Sequence, residues 1–141
     1  MLFRSHGSAT PSLAGSNGNP IPKEETGRFT FILPLEYDAG ETITLRAHAR
    51  VNIVVDSASI DFSVFVTNGE LGLATADIVS TSLTSINSAT WADYDFVITP
   101  TGLAAGDSFD IRIIVNSADS IAGSGGVPQI GQIQMLLDIK G

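Results

Sequence analysis

Few side chains in this sequence have the type and spacing to do chemistry. Arg46, His48 and Arg50 recur at every second position, so in an extended strand all three project from one face. Such a row suits the docking of an acidic neighbour, where a match of charge fixes partner and register. The plainer reading is a solvated strand face whose cations pair across a sheet with a carboxylate such as Asp61. Nucleophilic catalysis of the Ser-His-acid kind needs a base beside the nucleophile and a third group to orient that base. The two histidines do not supply it: His6 stands in a Ser/Gly/Pro-rich stretch, His48 lies between two arginines, and no serine is framed as Gly-x-Ser-x-Gly. Two acids flanking a bond could serve glycoside hydrolysis, and Asp93 with Asp95 or Asp107 with Asp110 are the candidates. Acids at strand edges and turns more commonly solvate a surface or close a turn. Hard oxygen ligands for calcium would come from an Asp-rich loop, but no Asp-x-Asp-x-Asp-Gly run exists, nor a phosphate-cradling glycine motif. No catalytic, cofactor-binding or metal-ligating residue is expected, and hence no enzyme. Trp91 and Tyr94 are the remaining pair: aromatic faces that could stack on a sugar ring, or rim residues capping an apolar core.

The composition fits a binding or structural chain. Of 141 residues, 43% are hydrophobic and only 16% charged, so Ser and Thr make up much of the polar surface, a pattern suited to strands and packed assemblies. This length is ordinary for one domain and suffices for a real core without disulfides, which the absence of cysteine excludes. The net charge is −8. Residues 1–28 carry Arg4, Lys23 and Arg28 against Glu24 and Glu25, a net +1 that leaves −9 for residues 29–141. An acidic body opposes the phosphate backbone, so nucleic acid is not an expected partner. The opening residues hold no apolar stretch of signal-peptide length and no run approaches ~20 apolar residues, so neither a leader nor a membrane span is expected.

The positioning elements are strands. Residues 1–28, with Pro11, Pro20 and Pro22 among Gly, Ser and Asn, read as an extended arm. Alternation begins at Phe29 and is clearest over residues 43–51, where Ile43, Leu45, Ala47, Ala49 and Val51 interleave with Thr44, Arg46, His48 and Arg50. Further runs cover residues 29–33, 60–66, 91–99, 109–115 and 133–139, with a softer stretch over 71–86 holding one short strand or a helical turn. The turn pair Asn68-Gly69 and the run Pro100-Thr101-Gly102-Leu103-Ala104-Ala105-Gly106-Asp107 predict hairpin-like connections. The expected fold is all-β: a β-sandwich or jelly roll of about seven to eight antiparallel strands over residues 29–141, preceded by the arm.

Three stretches carry a resemblance: residues 31–43 (FILPLEYDAGETI), residues 87–96 (NSATWADYDF) and residues 136–141 (LLDIKG). They resemble small jelly-roll virion proteins of tailed bacteriophages, of the capsid decoration or cement type. That resemblance implies a non-enzymatic subunit on the capsid surface of the virion, made in the host cytoplasm. Its partners would be the major capsid protein and copies of itself, as a homo-oligomer such as a trimer, with the arm gripping a neighbour. No functional residue carries over from these strand-and-turn phrases. The run Thr101-Gly102-Leu103-Ala104-Ala105-Gly106-Asp107 and the Trp91 strand are similar also to carbohydrate-binding modules, which implies the alternative of a glycan-binding sandwich, free-standing or within a receptor-binding tail component.

Overall fold

The computed structural model describes residues 22–67, 76–120 and 125–139, together with the backbone of Arg4–Ser5 and Leu13–Ala14. His6, Asn68-Gly69 and the start of the loop after residue 120 lie outside the described residues. The strands are β1 (Arg4–Ser5), β2 (Leu13–Ala14), β3 (Lys23–Ile32), β4 (Ile43–Val51), β5 (Ser57–Thr67), β6 (Thr84–Ser85), β7 (Ala92–Ile98), β8 (Ser108–Ala118) and β9 (Pro128–Leu137). They form two antiparallel sheets, one in the order β1-β2-β9-β4-β7 and the other β3-β8-β5-β6. The all-β sandwich expected from the sequence is therefore the observed fold.

Period-two patterning drives this arrangement. In β4, Ile43, Leu45, Ala47, Ala49 and Val51 are all buried, while the residues between them are half-buried on the outer face. Phe109, Ile111, Ile113 and Val115 of β8 and Ile60, Phe62 and Val64 of β5 meet them from the opposite sheet. A strand with one apolar face loses that burial if its register slips by one residue, so the pairing of each long strand is well determined.

Three features differ from the sequence reading. The first long strand starts at Lys23, not Phe29, and pairs with β8 from Lys23↔Ser117 to Ile32↔Ser108. Residues 23–28 thus belong to the sandwich and not to the arm. Their Lys, Glu and Thr content hides an alternation because β3 is an edge strand, where charge protects against unwanted pairing. Second, the Pro100–Asp107 connection is no hairpin: it carries the chain from β7 in one sheet to β8 in the other. Gly102 and Gly106 adopt φ of 79° and 88° there, a region that side-chain-bearing residues avoid, and Asp107 closes the turn by accepting from the Ala104 amide at 2.8 Å. Third, the arm's described backbone adds strands to its own molecule, with Leu13↔Ile130 and Ala14↔Gln129 pairing β2 to β9.

Asp61 lies on the outer face of β5, in the sheet opposite β4, which removes it as a partner of Arg46, His48 or Arg50. Burial and, next, the nearby Asp77 carboxylate hold its carboxyl above the ordinary value. A carboxyl raised in the folded state disfavours the native fold when ionised, and that penalty is relieved as pH falls through its folded pKa. Asp61→Asn is accordingly expected to raise the melting temperature at neutral pH, with the gain shrinking as the pH enters the carboxylate range. A variant that melts lower than the parent at neutral pH would contradict this.

Candidate functional site

The outer face of β9, β4 and β7 gathers most of the residues singled out in the sequence. Antiparallel register aligns them in cross-strand rows: Leu136, Thr44 and Val97; then Gln134, Arg46 and Asp95; then Gln132, His48 and Asp93. Further along, Gln129 pairs with Arg50.

The arginine-histidine row is not a bare basic strip. Arg46 makes a two-pronged contact with Asp95, Nε to Oδ1 at 2.7 Å and Nη2 to Oδ2 at 2.8 Å. The Arg46 fork holds the Asp95 carboxyl below its ordinary value. That contribution to stability is present above the usual carboxylate range and is lost as pH falls through the lowered folded pKa; both side chains are solvated, so it is small. His48 Nδ1 lies 2.7 Å from Asp93 Oδ1. The first candidate catalytic pair, Asp93 and Asp95, are thus neighbours on one face of β7 that each hold a basic residue of β4. The other candidate pair is divided as well: Asp107 caps its turn and Asp110, buried on the outer face of the second sheet, pairs with Arg28. Among the described residues no cluster of three or more His, Asp or Glu is placed to hold a metal ion.

Arg50 differs from its neighbours. Its Nε donates to Gln129 Oε1 at 2.9 Å, its Nη1 reaches the Ala89 carbonyl at 3.5 Å, and its guanidinium carbon sits 4.7 Å from the centre of the Trp91 ring. His48 stacks on the same indole with centroids 5.1 Å apart and planes 6° from parallel. Side chains two apart on a strand rise about 7 Å from one another, room for a single aromatic ring. Trp91 immediately precedes β7, and its ring lies against His48 and Arg50 of β4 and over Gly131 of β9. A Cβ on Gly131 would lie 3.3 Å from both Cη2 and Cζ3 of the ring, so the missing side chain at this point of β9 is what lets the indole descend to the sheet. The register of β4 on β9 shifts between His48 and Ala49, which leaves Gly131 as the extra residue of a bulge.

This corrects the pairing of Trp91 with Tyr94 as a single aromatic platform. Residues three apart on a strand face opposite ways: Tyr94 stands opposite Ala47 and packs against the core, while Trp91 is on the outer face with His48 stacked on its ring and Arg50 over it. The spacing itself carried that signal. Gln129, Gln132, Gln134 and Gly131 were missed in the sequence, although a glycine inside an alternating run marks a bulge or a close approach. In a strand, Ala is ordinarily favoured over Gly by about 0.5–1 kcal/mol, whereas overpacking costs ~1–3 kcal/mol. Gly131→Ala is therefore expected to lower stability and shift Trp91 emission to the red; a gain in stability would show that the ring does not rest on this glycine.

No protein-family model matches the chain, and no curated protein compared with it matches. Solved structures do. A structure named "Family 16 Carbohydrate Binding Module-2" superposes with a TM-score of 0.51 at 12% identity, over 94% of this chain and 80% of that one. A second, described as a carbohydrate-binding module of promiscuous specificity from the β-sandwich superfamily, gives a TM-score of 0.48 at 13% identity, over 95% of this chain and 51% of that one, so the present chain spans about half its length. At 12% identity the first likeness supports a β-sandwich fold and not a shared activity.

Proposed function

We propose that this chain is a non-catalytic glycan-binding β-sandwich module that binds through the outer face of β9, β4 and β7. The observation that carries the proposal is the set of planar polar side chains on that face, each braced by a neighbour: Arg46 against Asp95, His48 against Asp93 and Trp91, with Gln132 and Gln134 alongside. Sugar hydroxyls donate and accept at once, and this face offers both donors and acceptors. Side chains already fixed by one another lose little further entropy on binding, which favours affinity. The sandwich likeness to a carbohydrate-binding module supports the same reading as an analogy of fold. With His48 and Arg50 packed on the ring of Trp91, its outer edge supplies apolar contact in place of a stacking platform.

Titration with a panel of oligosaccharides, followed by the emission of the chain's one tryptophan, tests this. His48→Ala and Asp93→Ala should each weaken binding about tenfold, the worth of one hydrogen bond to a charged group, while Thr30→Ala on the opposite sheet should leave it unchanged. Failure of every saccharide in a broad panel to bind would overturn the reading.

A second reading, a capsid decoration subunit bound to the major capsid protein and to its own copies, draws support from β3, whose outer edge has no strand beside it among the described residues and could accept one from a neighbour. Removing residues 1–21, which spares the whole of β3, should abolish shell binding if the arm is the clamp; decoration at full affinity by the shortened chain would sink that reading.

A further inference from the structure

We propose that Arg50 binds the anionic group of an acidic saccharide, the carboxylate of a uronate or a sulfate ester, at the Trp91 end of this face; the proposal rests on the glycan-binding reading. Arg46 and Arg28 each have a carboxylate partner, and His48 has Asp93. Arg50 has none within 4 Å among the described residues, where its bonds are to the side-chain carbonyl of Gln129 and the backbone carbonyl of Ala89, both uncharged. Residues 1–21, of which Leu13–Ala14 pair with β9, contain no Asp or Glu. A guanidinium fixed by neutral groups on one side and an aromatic face on the other keeps its charge uncompensated and its fork oriented, the arrangement that recognises a carboxylate or sulfate by two parallel bonds.

A saccharide fits this surroundings better than an acidic peptide. About 7 Å from Arg50, two positions along the strand, the next row presents Asp93 and, beyond it, Asp95, both exposed. A run of acidic side chains would meet those carboxylates with repulsion. A uronate ring offers one acid to Arg50 and hydroxyls, which donate, to Asp93 and Gln132. The net charge of −8 opposes any anion at long range, so affinity depends on the direct contact at Arg50.

The test measures binding of the full chain to a neutral xylo-oligosaccharide bearing one glucuronate, to one bearing a single sulfate ester, to uncharged xylo-oligosaccharides and to poly-glutamate, by calorimetry and Trp91 emission. The expected result is preference for an acidic saccharide, lost about ten- to hundredfold in Arg50→Gln and partly kept in Arg50→Lys, with neutral sugars unaffected by either. Which acidic saccharide is preferred separates carboxylate from sulfate. Arg28→Gln, on the other sheet, serves as a charge control and should leave the preference intact. Equal affinity for neutral and acidic saccharides, or uronate binding unchanged in a folded Arg50→Gln, overturns the proposal and leaves the glycan reading standing. Arg50-dependent capture of poly-glutamate in place of any sugar overturns the choice of saccharide, and binding of no saccharide at all overturns both.

Discussion

Replacing Phe96 by alanine is expected to lower the unfolding free energy by about 3–5 kcal/mol, the usual cost of removing a fully buried aromatic ring. Phe96 comes from β7 and Phe62 from β5, so the two rings join the sheets across the core. Their centroids are 4.9 Å apart at 67°, edge to face, and neither is more than 1% exposed. A domain of this size is stable by ~5–15 kcal/mol, so one truncation consumes a large part of the margin. Phe62→Ala should cost a similar amount. The double variant should lose less than the two single losses together by about 0.5–1.5 kcal/mol, the worth of an aromatic pair beyond its buried area. Urea denaturation of the four proteins measures all of this. A loss below about 1 kcal/mol for Phe96→Ala would mean that the sheets close over the vacancy and that this contact does not set their separation.

Asn87→Ala is expected to be the next most damaging change, at about 2–4 kcal/mol. The Asn87 side chain acts as a piece of backbone: its Nδ2 donates to the Val55 carbonyl at 2.6 Å, and the Val55 amide donates to its Oδ1 at 3.0 Å. Val55 is buried, so truncation leaves a donor and an acceptor unpaired away from water, each costing roughly 1–3 kcal/mol. The same segment ties the sheets together, the Ile86 amide donating to the Ala58 carbonyl at 2.9 Å and the Val51 amide to the Ser88 carbonyl at 2.9 Å. It then delivers Trp91. The variant should therefore also move Trp91 emission and weaken saccharide binding at temperatures where it remains folded. Lost stability with unchanged emission would show that the clasp holds the fold without positioning the indole. Asn87→Asp, which keeps the acceptor and removes the donor, should sit nearer to the alanine variant than to the parent, because it sets a carboxylate against the Val55 carbonyl.

Alternation alone identified β4 to the residue and placed Asp93, Asp95 and Val97 on the face opposite Tyr94, Phe96 and Ile98, because a strand buried on one side must repeat every two residues. β3 was truncated in that reading. Its first half carries no apolar period: Glu25 and Gly27 occupy the inward positions opposite Val115 and Ile113, and only pairing along the whole of β8 reveals those residues as strand. The turn residues around Gly102 and Gly106 showed where the chain bends but not into which sheet it goes next. A sharp turn and a crossover between sheets place similar demands on φ.

The row Arg46, His48 and Arg50 is legible in the sequence as a basic strip on one strand face. What tertiary structure decided was its charge. Partners on β7 lie some 45 residues away in sequence, and whether Asp61 or Asp95 faces Arg46 depends on which strands share a sheet, a choice made by the packing of the whole core and not by local pattern. That choice compensates Arg46 and His48, leaves Arg50 beside Trp91 and Gln129, and turns a uniform basic strip into a single uncompensated guanidinium on a polar sheet face.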